Sequence, residues 1–274
     1  MGGGGAVDRT LLLVGCGKMG SALLAGWLDR RAASRIFVVE PAGVPAGFAP
    51  AANLAFCRGP DTLPQQLEPD AVVFAVKPQV IDAVLADYRA WVDRPTVFVS
   101  IVAGKTLAGI EDRLGPAALV RTMPNLPAAI GRGFTVACAT PRVTPEQKLL
   151  CEALLAAIGE SAWVEDEGLL DAVTAVSGSG PAYVFLLIEA LARAGENEGL
   201  PADLALRLAR ATVAGAGELA RRSGASPAQL RRDVTSPGGT TEAALGLLMA
   251  EDGLEALLGR AVAAAAARSR ALAG

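Results

Sequence analysis

The chain has 274 residues, of which 52% are hydrophobic, and its formal net charge at pH 7 is −3. This length suffices for one large domain or two ordinary ones, and the apolar content can fill a sizeable core, so we expect a globular protein. The small negative charge and the lack of a Lys/Arg block argue against nucleic acid or an anionic membrane surface as a partner. We therefore expect small molecules as ligands.

Histidine is absent, and the four cysteines are far apart without a CxxC pair. This inventory argues against a metal centre and against a disulfide framework. The apolar runs have the length of strands, and none approaches the roughly 18 to 20 residues of a membrane span. The N-terminus has neither the basic nor the apolar region of a signal peptide, so we expect a cytoplasmic protein.

From residue 10 to about 164, short apolar runs alternate with amphipathic helical stretches, which is typical of a doubly wound α/β domain with a parallel sheet. Helices are predicted to begin near Lys18, Gln79 and Leu107, and a further one after Thr144. Residues 134–138 are predicted to add an antiparallel strand at a sheet edge. The parallel strands are predicted at residues 11–14, 36–39, 72–76, 97–101 and 119–122.

A GxGxxG pattern follows the first predicted strand and opens the first helix. In this context Gly15 allows a tight turn, Gly17 a close backbone approach to a pyrophosphate, and Gly20 close packing of the helix on the strand. A purely structural glycine-rich turn is the alternative. The predicted cofactor-binding residues of this segment are Gly15, Cys16, Gly17, Lys18, Met19 and Gly20.

Glu40 lies at the end of the second predicted strand, 20 residues beyond Gly20. An acid at this place accepts hydrogen bonds from the adenosine ribose hydroxyls and repels a 2′-phosphate. The following residues, 41–44, supply no Arg, Ser or Thr to hold that phosphate. The sequence therefore favours NADH, although Arg58 near the next strand leaves NADPH open.

Three further strand ends are predicted to face the same crevice, because ligands bind at the carboxyl ends of parallel strands. Pro78 and Pro124 end two of these strands and turn the chain, so that Lys77 and Asn125 can point at a ligand. An ordinary strand-end turn is the alternative for each. The predicted cofactor-binding residues here are Ala75, Val76, Lys77, Pro78, Ala103, Gly104 and Asn125.

Beyond residue 165 the pattern is helical only, at residues 167–176, 182–197, 202–222, 242–250 and from 253 onward. We expect a dinucleotide-binding domain at 8–164 and an all-helical domain at 165–274. Several of these helices are apolar on every side, for example at residues 183–188, and such helices must be buried. We therefore expect a homodimer; a large monomeric bundle is the alternative.

Two loops of the helical domain, at residues 177–183 and 234–242, are rich in Gly, Ser and Thr and precede helices. Backbone amides at such helix starts are suited to bind an anion, for example a carboxylate. Glycine-rich helix starts with Ser and Thr caps are the alternative.

Six ordered motifs, GxGxMG, AVKP, SIxAG, RxMPN, SGSGPAY and SPGGTTEAAL, resemble the pyrroline-5-carboxylate reductase family from Leu11 onward. The resemblance implies a Rossmann domain followed by a helical dimerisation domain, with active sites at the dimer interface and assemblies of dimers. It implies reduction of the cyclic imine 1-pyrroline-5-carboxylate to L-proline with NADH or NADPH. Glu40-Pro41 departs from the Asn-Arg pair that is frequent in the family.

A protonated cyclic imine is already an electrophile, so the enzyme needs proximity and electrostatics more than a general acid. We expect Thr241 to be the catalytic hydroxyl that faces the ring nitrogen. We expect the Ser236 hydroxyl and the amides of Gly239, Thr240 and Thr241 to hold the substrate carboxylate.

The nearest alternatives are a β-hydroxyacid dehydrogenase or another imine reductase of the same architecture. Hydroxyacid dehydrogenases use a lysine in the helical domain, and no lysine follows Lys148 in this chain. A non-catalytic dinucleotide sensor is a further alternative, for which no partner-binding segment is visible.

Overall fold

The computed structural model describes residues 8–273. Within them, the strands are β1 (Thr10–Val14), β2 (Arg35–Val39), β3 (Leu54–Cys57), β4 (Ala71–Phe74), β5 (Val97–Ser100), β6 (Leu119–Met123), β7 (Gly133–Ala139) and β8 (Gly159–Trp163). These eight strands form one mostly parallel sheet in the order β3-β2-β1-β4-β5-β6-β7-β8.

The strand order reverses at β1, where Leu13 pairs with Val38 of β2 on one side and with Val73 of β4 on the other. Parallel pairing continues through β5 and β6, as the sequence predicted. The carboxyl ends of β1 and β4 therefore flank a crevice, which is the usual place for a ligand in an open α/β sheet.

Two helices, at Lys18–Arg30 and Pro145–Ala156, cover one face of this sheet, and two others, at Ile81–Leu85 and Leu107–Leu114, cover the other face. Apolar side chains alternate between the two faces along β1, so both faces of the strand are buried. The α-helices are α1 (Lys18–Arg30), α2 (Ile81–Leu85), α3 (Leu107–Leu114), α4 (Pro145–Ala156), α5 (Leu169–Val173), α6 (Gly180–Asn197), α7 (Ala202–Arg222), α8 (Pro227–Asp233), α9 (Thr240–Leu248) and α10 (Leu254–Ala273).

Three elements were not predicted, namely β3, β8 and α8. Strand β3 is a short apolar segment in which only Leu54 is buried, and β8 has polar residues in it and no buried residue, so neither strand resembles the buried central strands. The expected antiparallel pairing of β7 with β6 is correct, but its place at the edge is wrong, because β8 extends the sheet beyond it. Strand β4 ends at Phe74, two residues earlier than predicted, which places Ala75 and Val76 in the loop.

The described chain divides into two compact units. Unit 1 runs to Gly178 and takes in the end of the chain from Ala266, and unit 2 comprises Ser179–Ala265. Unit 1 contains the sheet, and unit 2 is helical throughout. The predicted domain boundary near residue 165 stays a prediction.

Helix α6 is apolar and largely exposed in the single chain. One helical stretch among the described residues, Leu169–Asn197, is long and apolar enough to cross a membrane, although helices of soluble proteins pass the same test. The sequence did not lead us to expect a stretch of this length. The exposed large apolar side chains of α6 are Val184, Phe185, Leu186, Leu187 and Leu191.

Candidate active site

The glycine-rich loop leaves β1 and enters α1 in a conformation that packing enforces. Gly15 has a φ of +88°, and its amide donates a hydrogen bond of 2.8 Å to the carbonyl of Val39. A Cβ at Gly15 would lie 2.8 Å from the carbonyl oxygen of Ala75, and one at Gly20 would lie 2.4 Å from that of Gly15. Side chains at either position would therefore disturb the packing of α1 against β1 and β4.

Gly17 differs from these two glycines, because a Cβ there would meet no atom within 4 Å. It is the N-cap of α1 and provides no side-chain cap, so the first amides of the helix face the open space. A helix start with this clearance fits the pyrophosphate of a dinucleotide. Packing within the described chain therefore does not require glycine at this position.

The Glu40 carboxylate is held by two backbone amides. Cys16 donates a hydrogen bond of 2.7 Å to its Oε2, and Ala42 donates one of 3.1 Å to its Oε1. Glu40 lines a cavity of about 530 Å³ together with Arg58, Asp87 and other residues. We call this the Glu40 cavity; it also contains Val14, Gly15, Gly17, Val39, Pro41, Gly59, Pro60, Ala75, Val76, Lys77, Val80, Val84 and Tyr88.

Cys16 is a buried residue of this loop, and its thiol is disfavoured as a thiolate. Burial raises the pKa of the Cys16 thiol, and the negative charge of Glu40 raises it further, whereas a hydrogen bond with Ser21 partly offsets the rise. The Ser21 hydroxyl also donates to the Cys16 carbonyl at 2.9 Å. The residue therefore contributes its backbone amide to the site, through the bond to Glu40.

A second cavity, of about 610 Å³, shares Gly17, Ala75, Val76 and Lys77 with the Glu40 cavity. The combined space suits a ligand of dinucleotide size. We call it the Asn125 cavity; it is lined by Gly17, Lys18, Met19, Ala75, Val76, Lys77, Pro78, Ile101, Val102, Ala103, Met123, Pro124, Asn125, Leu126 and Gly178.

The two cavities bring together all predicted cofactor residues except Cys16, Gly20 and Gly104. Gly104 lines neither cavity, and a Cβ there would come within 3.2 Å of the Leu272 carbonyl oxygen near the end of α10. Gly20 likewise serves packing.

Asn125 does not offer a free side chain to a ligand. Its Nδ2 donates a hydrogen bond of 3.0 Å to the Ser177 hydroxyl, and its Oδ1 accepts one of 3.0 Å from the amide of Phe134. The side chain thus ties the end of β6 to β7 and to the segment that carries Gly178 at the rim of the Asn125 cavity. Asn125 lines the cavity with both polar atoms of its side chain already hydrogen-bonded, and its role in cofactor binding stays a prediction.

In unit 2, the loop before α9 forms a turn at the start of the helix. The amide of Gly239, the N-cap, donates to the Ser236 carbonyl at 3.0 Å. Thr240, Thr241 and Glu242 follow as the first residues of the helix, and none of their amides has a hydrogen-bond partner among residues 8–273. Of the three amides predicted to bind a carboxylate, that of Gly239 is therefore already engaged.

The Thr241 hydroxyl is half-buried and makes no hydrogen bond within the described part of the chain. Since Gly239 is the N-cap, Thr241 does not cap the helix. A hydroxyl and three amides without internal partners thus lie together at the start of α9.

Comparison with known proteins gives a family match for each half of the chain. A family model described as pyrroline-5-carboxylate reductase dimerisation matches residues 167–272. A second, described as NADP oxidoreductase, coenzyme F420-dependent, matches residues 10–104. Over 262 residues the chain is 40% identical to a pyrroline-5-carboxylate reductase of Synechocystis sp., covering 95% of this chain and 97% of the relative.

The chain belongs to the pyrroline-5-carboxylate reductase family. A pyrroline-5-carboxylate reductase of Glycine max is 38% identical over 274 residues, with 97% of each chain covered. The solved pyrroline-5-carboxylate reductase of Coxiella burnetii is 31% identical, with a TM-score of 0.87, and covers 98% of this chain and 100% of its own. That of Plasmodium falciparum, solved with NADP bound, is 28% identical with a TM-score of 0.82 and the same coverage.

Membership in the pyrroline-5-carboxylate reductase family confirms the predicted fold class, a Rossmann-type sheet followed by a helical dimerisation region. It also confirms an NAD(P)-dependent oxidoreductase that acts on a C=N bond, and it disfavours the β-hydroxyacid alternative. The match to the dimerisation model indicates self-association. The roles of individual site residues stay predictions.

Sequence reasoning did not assign Met123, Gly178 or Tyr88 to the site. Met123 and Gly178 line the Asn125 cavity, and Tyr88 lines the Glu40 cavity. Met123 and Gly178 belong to two of the motifs that carry the resemblance, RxMPN and SGSGPAY, so a signal was present. Tyr88 follows α2 in a stretch without a motif and is almost fully buried, so nothing in the sequence singled it out.

Proposed function

We propose that this protein reduces 1-pyrroline-5-carboxylate to L-proline, with NADH preferred over NADPH. The observation that carries the substrate assignment is the start of α9, where Thr241 offers a hydroxyl and Thr240, Thr241 and Glu242 offer amides without internal partners. A small zwitterion with a carboxylate and an iminium nitrogen has complementary groups.

The amides of Thr240 and Thr241 and the Ser236 hydroxyl hold the substrate carboxylate at the positive end of the α9 helix dipole. The Thr241 hydroxyl faces the ring nitrogen. The amide of Gly239 contributes indirectly, because its bond to Ser236 shapes the turn. These groups orient the substrate, and proximity and electrostatics supply much of the rate acceleration.

The residues of unit 1 hold the dinucleotide, which supplies a hydride to the carbon of the C=N bond. The first amides of α1 and the open space at Gly17 receive the pyrophosphate. Lys77, Ala103 and Asn125 border the cavity farther along. The imine arrives protonated from water, so the chemistry does not require histidine, which the chain lacks.

The preference for NADH rests on Glu40. Its negative charge lies in the Glu40 cavity, which Asp87 also lines, and repels the 2′-phosphate of NADPH. Arg58 lines the same cavity, and a Cβ at Gly43 would lie 3.7 Å from its Nη2. Arg58 can therefore pair with the phosphate, and we expect NADPH to be used at a lower efficiency.

We further propose that the protein works as a homodimer, or as an assembly of dimers, in the cytoplasm, without nucleic-acid or membrane partners. Exposed apolar residues of α6, such as Phe185 at 52% and Leu186 at 59% exposure, favour burial by a second copy. The match of residues 167–272 to a dimerisation model supports this reading over a membrane span.

Initial rates of dinucleotide oxidation by the purified protein test the proposal. With 1-pyrroline-5-carboxylate, we expect turnover with both cofactors and a higher kcat/KM with NADH. With NAD+ and β-hydroxyacids we expect no turnover, and the opposite substrate pattern would favour a hydroxyacid dehydrogenase.

A further inference from the structure

Glu242 reaches back from the first turn of α9 to the loop that precedes it. The amide of Gly238 donates a hydrogen bond of 2.7 Å to Glu242 Oε2. Gly238 has a φ of +70°, a conformation that residues with a side chain rarely adopt. Together with the bond from Gly239 to Ser236, this contact fixes the turn at both glycines.

Two adjacent glycines make this loop flexible unless side chains restrain it. Gly238 is exposed, so its amide does not need Glu242 for solvation, and water would satisfy it equally well. The contact therefore serves the conformation of the turn more than the stability of the protein. A ligand that binds a loop already in its bound conformation avoids the entropy cost of ordering it.

The negative charge of Glu242 has two opposite effects at the start of α9. A carboxylate in the first turn stabilises the helix dipole, but it also repels a second carboxylate at the same helix start. The negative charge therefore does not explain the binding of an anion there. The hydrogen bond to Gly238 does offer a role that favours such binding.

We infer that Glu242 is a positioning residue for the substrate: it holds the Ser236–Gly239 turn in the shape that presents the Ser236 hydroxyl and the α9 amides. This inference rests on the proposed substrate role of the loop. In this role the Glu242 side chain acts through Gly238 and not by its own contact with the substrate. Its removal should weaken the binding of the imine and leave the chemical step and the dinucleotide unaffected.

Two substitutions separate the hydrogen bond from the charge. Glu242→Gln removes the charge but keeps a carbonyl oxygen that can accept from the Gly238 amide, whereas Glu242→Ala removes both. Glu251→Ala is the matched control, because Glu251 is an exposed carboxylate of unit 2 with no hydrogen bond among the described residues. Steady-state kinetics give kcat and KM for the imine and KM for NADH, well below the melting temperature of each variant.

For Glu242→Ala we expect the KM for 1-pyrroline-5-carboxylate to rise about five- to tenfold, with kcat within about twofold and the KM for NADH unchanged. Glu242→Gln should stay within about twofold of the wild-type KM, as should Glu251→Ala. Equal KM values for the two Glu242 variants, whether normal or raised, would overturn the inference, because the bond would then not be the cause. A loss of folded protein alone lowers the apparent kcat and leaves the KM for 1-pyrroline-5-carboxylate unchanged.

Thr241→Val, measured in parallel, separates this inference from the proposed function. An impaired Thr241→Val with a normal Glu242→Ala contradicts the role of Glu242 alone. A normal Thr241→Val with a raised KM in Glu242→Ala contradicts the role of the Thr241 hydroxyl and leaves the positioning of the turn intact.

Discussion

The backbone amide of Cys16 donates a hydrogen bond of 2.7 Å to the carboxylate of Glu40. This bond ties the glycine-rich loop after β1 to the end of β2, so Glu40 shapes the loop as well as the charge of the Glu40 cavity. The two contributions can be separated by substitution, because a neutral amide oxygen can replace the carboxylate as acceptor.

The first prediction concerns cofactor preference. We expect kcat/KM with NADH to equal or exceed that with NADPH, because Glu40 repels the 2′-phosphate, and Glu40→Ser should narrow or invert the ratio. Glu40→Gln should also shift the ratio toward NADPH while it keeps an acceptor for the Cys16 amide. Initial rates with each cofactor measure the ratio.

Arg58→Ala provides the complementary control. It should lower kcat/KM with NADPH and leave kcat/KM with NADH unchanged, because Arg58 lines the Glu40 cavity and can pair with the 2′-phosphate that only NADPH carries. A wild-type preference of about tenfold or more for NADPH, which equals about 1.4 kcal/mol, would contradict the role assigned to Glu40.

The second prediction concerns Gly17. Gly17→Ala should fold normally, because its Cβ meets no atom within 4 Å, and should lose less than about 1 kcal/mol from the N-cap position. Its affinity for NADH should fall about tenfold or more, because the methyl group occupies the space of the pyrophosphate. Thermal melting and a fluorescence titration with NADH measure the two effects.

Gly20→Ala is the contrasting variant, since its Cβ would lie 2.4 Å from the Gly15 carbonyl oxygen. We expect it to destabilise the fold by about 1 to 3 kcal/mol. Normal NADH binding by Gly17→Ala would show that the loop is only a structural turn.

The dinucleotide loop was predictable from sequence because the spacing of its glycines encodes their separate roles. The direction of a side chain is not encoded in this way. The position of Asn125 just after β6 was predicted correctly, but its side chain turns to the amide of Phe134, nine residues on, and to Ser177, 52 residues on. Tertiary hydrogen bonds of this kind cannot be derived from one motif.

The missed elements have a similar cause. Helix α8 has only seven residues, begins at Pro227 and is capped by Ser226. The turn-forming residues around its start made it hard to recognise from the sequence. The short strand β3 depends on pairing with β2 for its existence and carries a single buried residue, Leu54. Long apolar or strongly periodic segments such as β1 and α7 were predicted within about two residues.

The third prediction concerns Thr241. Thr241→Val keeps the shape of the side chain and removes its hydroxyl, so kcat/KM for the imine should fall about tenfold to a hundredfold, the effect of a lost hydrogen bond to a charged group of about 1.5 to 3 kcal/mol. The affinity for NADH should not change, and Thr241→Ser should restore most of the activity. Steady-state kinetics and a melting curve decide the outcome.

Because Gly239 and not Thr241 is the N-cap of α9, a capping role does not explain a loss of activity in this variant. Full activity of Thr241→Val with a lowered melting temperature would exclude the substrate role of the hydroxyl.

The fourth prediction concerns assembly. Sedimentation should show a dimer or a multiple of it, and Leu191→Asp or Ile188→Asp should give insoluble protein or an inactive monomer, because a charge would then lie in the apolar interface. Leu149→Asp is the matched control, since Leu149 is an exposed leucine of α4 in unit 1. A soluble, active monomer at nanomolar concentration would contradict the proposed dimer.

The most direct test of the central claim follows NADH consumption and L-proline formation in the same reaction of the purified protein with 1-pyrroline-5-carboxylate. We predict one L-proline formed for each NADH oxidised, and no NADH oxidation without the imine. NADH oxidation without L-proline formation, or no oxidation of either NADH or NADPH, would contradict the account.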